Sequence, residues 1–322
     1  MTLRVEGEEV ELLLPCSEVE AMYRDPMMEE LEATRALRVR AWREVCGIFN
    51  VRAPQPRLKV VEGPLYMVHQ NFIAGGAYSS IPMFLRYDGS AYTAEFYRPV
   101  VAVNPYVYYF EGVASRWTPP ILASAIVHEY AHIAFPLSAG LHFEFVRRAV
   151  ADLRLAMQLP FLTDEDLRSM REASVEVEAL MEAPALWAEE EVCSRLKVPS
   201  VAERRLMLQA ARDEELRRLM AKHDIAVEGP SARVRVEAMM RHWRAVKGAS
   251  LRELVDYVDG ALEELVGRAW RAIKSELGSR LKVSLREEEV EAPAVMGRTI
   301  EWLWLWKYFL KEEFGHELLK PP

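Results

Sequence analysis

Cysteine is scarce in this chain. The three cysteines among 322 residues, Cys16, Cys46 and Cys193, are an odd number with no Cys-x-x-Cys spacing, which argues against both a disulfide framework and a thiolate zinc site. Asparagine and glutamine are also rare, three and four against many Glu and Arg, a bias shared with thermophilic proteins. Long hydrophobic runs are missing: the stretch from Ile300 to Leu310 contains Glu301 and Lys307 and falls short of the roughly 20 apolar residues of a membrane-spanning helix. Positive charge is not in excess. A net charge of −8 repels nucleic acid and anionic membranes, so neither is an expected partner. The N-terminus has acidic residues ahead of its short apolar run and lacks the basic start of a secretory signal, so the expected location is the cytoplasm. Gly75-Gly76 has neither the spacing nor the following helix of a phosphate loop. No repeat or low-complexity tract is present.

About half of the residues are apolar, enough for a substantial core. Residues 1–15 alternate apolar and polar, which predicts a strand or extended arm. From Met27 to Phe49 the apolar residues recur at helical spacing. Between Arg57 and Phe110 β-branched and aromatic residues are broken by Gly and Pro, predicting three or four short strands with a turn at Asp88-Gly89. Trp117-Thr118-Pro119-Pro120 is a helix start, and the following helix is expected to run to Pro136. Beyond Leu141 the pattern is helical, in segments 142–158, 164–183, 185–197, 201–222, 231–246, 250–278 and 297–313, with a capping box at Ser250 and Glu253. The expected class is α+β: an N-terminal arm (1–24), a domain with a small mixed sheet and an active-site helix (25–200), and a helical domain (201–322).

One motif carries chemistry. Residues 128–132 read His-Glu-Tyr-Ala-His on the predicted helix. Residues four apart lie on one helical face, so His128 and His132 can grip one Zn2+, while Glu129 reaches a water beside it without ligating the ion. Zinc acidifies such a water, and Glu129 takes its proton as general base. The uncharged neighbours Ile126, Val127, Tyr130, Ala131 and Ile133 suit a buried catalytic helix.

A catalytic zinc needs a third protein ligand. Ser138 stands where a metzincin carries its third histidine. His142 and Glu144 are further candidates, with His142 expected in an ordinary structural role. Glu172, Glu176, Glu178 and Glu182 lie opposite the apolar stripe of segment 164–183 and are expected in solvent. With Pro184 opening the next helix, the projection of Ala185 to Leu196 puts Glu189 near the centre of the apolar face, Glu190 at its edge and Glu191 on the far side.

Trp187-Ala188-Glu189-Glu190-Glu191-Val192-Cys193 together with His128-Glu129-x-x-His132 resembles the gluzincins, zinc peptidases with HExxH on one helix and a glutamate ligand on a second. The resemblance implies a zincin-like domain, Glu190 as third ligand, Cys193 as the small residue where the helices approach, and hydrolysis of a peptide or protein substrate. It covers two short motifs, and no aminopeptidase substrate motif accompanies them. Tyr257, His223, His242 and His316 are possible oxyanion donors. The stretch 75–82 could supply an edge strand beside the active-site helix, and residues 300–310 a packing helix. The expected function is zinc-dependent peptide hydrolysis. The alternative is a catalytically silent zincin-fold protein whose helical part covers the cleft. Oligomeric state is not indicated.

Overall fold

The computed structural model describes residues 2–5, 8–11, 35–60, 66–69, 72–74, 77–80, 83–87, 92–103, 119–151, 156–157, 159–222, 231–285 and 299–300. These residues are mostly helical, with small sheets of few strands. A hairpin pairs β1 (Thr2–Val5) with β2 (Glu8–Glu11). Helix α1 (Arg35–Phe49) follows, then seven short strands: β3 (Arg57–Val60), β4 (Tyr66–His69), β5 (Phe72–Ala74), β6 (Ala77–Ser80), β7 (Met83–Tyr87), β8 (Tyr92–Phe96) and β9 (Val100–Val103). Strands were expected here but fewer, because no strand in this region exceeds five residues. The turn expected at Asp88-Gly89 lies outside the described residues.

The remaining helices are α2 (Pro119–Ala139), α3 (Leu141–Ala151), α4 (Asp164–Glu172), α5 (Ser174–Leu196), α6 (Ala202–Lys222), α7 (Ala232–Val246) and α8 (Leu251–Arg280), followed by β10 (Leu281–Leu285) and β11 (Thr299–Ile300). β11 pairs antiparallel with β4 where the helix 297–313 was expected to begin; the rest of that segment, the packing helix included, lies outside the described residues. β10 lies parallel to β8, whose other neighbour is β7.

Both proline positions differ from the expectation. Pro136 lies inside α2, and Pro184 lies inside α5 rather than opening a new helix. A proline in a helix interior removes one backbone hydrogen bond at a cost of about 3 kcal/mol. Tertiary burial outweighs that penalty: Ala183, Ala185 and Ala188 around Pro184 are all fully buried. The break instead falls at Ala173, after α4, whose start is fixed by a capping box between Thr163 and Asp166. The capping box expected at α8 is present, with the Ser250 N–H donating to Glu253 Oε2 over 2.8 Å and Ser250 Oγ accepting from the Glu253 N–H over 3.3 Å. α8 kinks at Gly267, whose φ of 34° is tolerated best by glycine.

α2 is the central element. It packs against α1 and α5 and lies on strands β6 and β9. Its core-facing Tyr130 makes an edge-to-face contact with Trp42 of α1, 5.1 Å between ring centres, and its hydroxyl accepts a hydrogen bond from Gln55 Nε2 over 3.1 Å. One turn further on, Phe135 meets Phe49, which in turn meets Trp187 of α5. These contacts fix the rotation of α2 about its axis and thereby aim His128 and His132 toward α5. One hydrophobic core takes in Val45, Val127, Leu180, Leu254 and Trp270. Beside α2, β6 is the edge strand of the sheet β3-β9-β6, antiparallel to β9 while β3 is parallel to it. That is the edge strand expected from the sequence.

Phe49 is fully buried between Phe135 and Trp187, so Phe49→Ala is expected to cost about 3–5 kcal/mol in chemical denaturation. A loss below 1 kcal/mol would contradict the placement of this contact.

Candidate metal centre

Helices α2 and α5 run antiparallel, and their facing residues meet in order along the axis. Ser124 meets Glu189, His128 lies between Glu189 and Glu182, and His132 meets Glu182. Glu182 and Glu189 are seven residues apart, about two helical turns, and so share one face of an unbroken α5. Ala185 and Ala188 let the helices approach closely.

Three donor atoms converge. His128 Nε2 lies 3.0 Å from Glu182 Oε2 and 3.2 Å from His132 Nε2, and the third side, His132 Nε2 to Glu182 Oε2, is 3.3 Å. A tetrahedral ion with bonds of about 2.0–2.1 Å requires donors about 3.3 Å apart. The separations are within a few tenths of an ångström of that value, so the two imidazoles and the carboxylate could hold a metal ion. Solvent reaches the group, since the Glu182 side chain is 28% exposed.

A second set of contacts supports the first. His128 Nδ1 lies 3.2 Å from Glu189 Oε2, within ion-pair range but off the line of an N–H hydrogen bond. Glu189 is wholly buried and accepts hydrogen bonds from Ser124 Oγ and, over 2.8 Å, from Arg205 Nη2. A carboxylate behind a ligating imidazole orients the ring and raises its basicity. Burial and the Arg205 charge both disfavour a protonated His128, yet the carboxylates of Glu182 and Glu189 outweigh them and lift the imidazole to about 9. Burial opposes ionisation of Glu182 as well, but His132 and His128 hold its carboxyl well below the usual range.

Glu129, adjacent to His128 on α2, is buried and its carboxylate has no hydrogen-bond partner among the described residues. Arg147 of α3 feels the charges of both Glu182 and Glu129. Its Nε and Nη2 donate to Glu144 over 3.0 and 2.9 Å, and Arg148 Nε donates to the same carboxylate over 2.6 Å. Burial disfavours an ionised Glu144, but the two guanidinium groups bring it down to about 2.

His128, His132 and Glu129 are therefore placed together, whereas Glu190, the expected third ligand, is not brought to the histidines. Its position is turned about 100° round α5 from Glu189, and its carboxylate pairs with Lys247 Nζ over 2.7 Å. The physical reason is Pro184. Starting a fresh helix there loses the phase that links Glu189 to Glu182 and assigns Glu182 to solvent. Carrying the helix through the proline puts both on the face toward α2. Glu191 pairs with Arg195 at the surface. His142 sits at the start of α3 against Phe143 and Trp270, and Glu144 is committed to its arginines. Tyr257 donates to or accepts from His242 Nδ1 over 2.8 Å, and His242 Nε2 lies 2.8 Å from Glu176, a brace between α5, α7 and α8. His223 and His316 lie outside the described residues.

No family model, curated protein or solved structure matches the chain.

Two outcomes follow from this geometry. Glu182→Gln is expected to weaken zinc binding by at least about tenfold, the usual scale for disturbing such a site, while Glu190→Gln leaves it unchanged in competition titrations; the reverse pattern would return the ligand role to Glu190. The stability due to Glu144, whose folded value lies below the ordinary 4.5, is complete above about 4.5 and is lost as pH falls toward 2. Glu144→Gln should cost about 3–5 kcal/mol near neutrality, a gap that narrows in acid on denaturant titration; a gap independent of pH would contradict the ion pairing.

Proposed function

We propose that this protein is a zincin-like, zinc-dependent peptidase, with His128, His132 and Glu182 as ligands and Glu129 as general base. The observation that carries the reading is the spacing of the three donor atoms, close to that of a tetrahedral zinc site, with the Glu129 carboxylate, which no described residue hydrogen-bonds, one residue from the first histidine. Two nitrogens and one oxygen are a donor set that suits zinc and leaves a fourth position for substrate or water. When bound, zinc supplies Lewis acidity toward the water and the scissile carbonyl.

The chain's own groups carry the proton. Glu129 accepts it from the attacking water and returns it to the leaving amine, as its place on α2 beside the ligands allows. Glu189, held by Ser124 and Arg205, keeps His128 in one orientation during turnover. The carboxylates of Glu182 and Glu189 raise the proton affinity of His128, so an ion entering the site competes with a proton.

Substrate access has two supports. Among the described residues β6 has no strand partner on the side away from β9 and lies next to α2, so a peptide can extend it by backbone hydrogen bonds. The exposure of the Glu182 and Arg147 side chains, 28% and 32%, favours a working site over one covered by the helical part. Among the described residues no helix is long and apolar enough to cross a membrane.

Zinc-loaded protein should cleave members of a peptide library, and Glu129→Gln should reduce the rate by about 10²–10⁴-fold with zinc content unchanged. Equal rates for the two proteins, or no cleavage by zinc-loaded wild type, would overturn the assignment.

A further inference from the structure

We propose that Arg147 is a carboxylate receptor, the end-on face of its guanidinium binding a substrate carboxylate beside His128, His132 and Glu182; the word substrate rests on the peptidase reading above. A guanidinium has two faces that can form paired hydrogen bonds with an anion. Glu144 occupies the side-on face, through Nε and Nη2 at 3.0 and 2.9 Å. The end-on face, Nη1 with the second hydrogen of Nη2, has no partner among the described residues.

The support beneath Arg147 is rigid and the other end is wet. The Glu144 side chain is 1% exposed, whereas that of Arg147 is 32% exposed. Arg148 shares the same carboxylate, so Glu144 is held by two guanidinium groups and not by Arg147 alone. α3, which carries Arg147, packs against both α2 and α5, and the guanidinium lies within electrostatic reach of Glu182 and Glu129. Both carboxylates there have other work, one grouped with the histidines and one next to them as base. Of the anions a peptide offers, a carboxylate matches the paired N–H groups of the free face. It can be the peptide's C-terminus or an Asp or Glu side chain.

The test measures binding to zinc-loaded Glu129→Gln protein by calorimetry, with peptides that differ in one group. One pair has a C-terminal acid or amide; the other has an internal Glu or Gln. The acid member of one pair should bind about 10–100-fold more tightly, the range of a charge-assisted hydrogen-bond pair, and the pair that shows it identifies the source of the carboxylate. Adding Arg147→Gln should bring the ratio to near one. Arg147→Lys keeps an ion pair with Glu144 but has no second face, so it should lose the ratio too while zinc content and melting temperature hold. Equal binding within both pairs, or a ratio that survives in Arg147→Lys, would overturn the proposal. Wild-type turnover is assayed in parallel: acid-selective binding without any cleavage removes the peptidase reading and leaves the receptor standing.

Discussion

The antiparallel packing of α2 against α5 is the constraint on which the rest of the molecule depends. Small residues at Ala131, Ala185 and Ala188 let the two helices approach, and all three are fully buried. The polar residues must then find partners across the contact, because an unpaired buried charge is costly. Ser124, His128 and His132 meet Glu189 and Glu182 in register. Sliding or rotating either helix would break several of these contacts together. Trp42 packs on Tyr130 from the side of α2 turned away from His128, and Phe49 bridges Phe135 and Trp187; together these contacts hold the rotation of α2.

The charges around this contact compensate one another. Glu189 is balanced by Arg205 and His128, and Glu144 by Arg147 and Arg148. Glu182 is balanced by the two histidines. Glu129 is the carboxylate next to the centre that no described residue ties down. A buried carboxylate without a hydrogen-bond partner, within electrostatic reach of Arg147, is a candidate for a chemical role.

Much of this was legible in the sequence. HExxH brings His128, Glu129 and His132 onto adjoining faces of one helix by local geometry alone, and both the helix under it and the strand edge at 77–80 follow from nearby residues. The capping box at Ser250 was legible for the same reason. The carboxylate beside the histidines was not, because its identification requires the helical phase across Pro184. Local rules end a helix at proline, whereas here burial of the flanking alanines outweighs the lost hydrogen bond. The gluzincin-like segment at 187–193 also misdirected the choice. Its Trp187 and Cys193 are core residues, with Trp187 donating to the Ala249 carbonyl, and its three glutamates pair with His128, Lys247 and Arg195 in turn. The spacing of Glu182 and Glu189 was the available signal, visible only if the helix is read as continuous.

The central claim is that one metal ion sits between α2 and α5. Anomalous diffraction at the zinc edge from zinc-loaded crystals tests it most directly. A single strong peak about 2.0–2.2 Å from His128 Nε2, His132 Nε2 and Glu182 Oε2 is expected. A peak absent from this position, or bonded to Glu189 or Glu190 in place of Glu182, would contradict it.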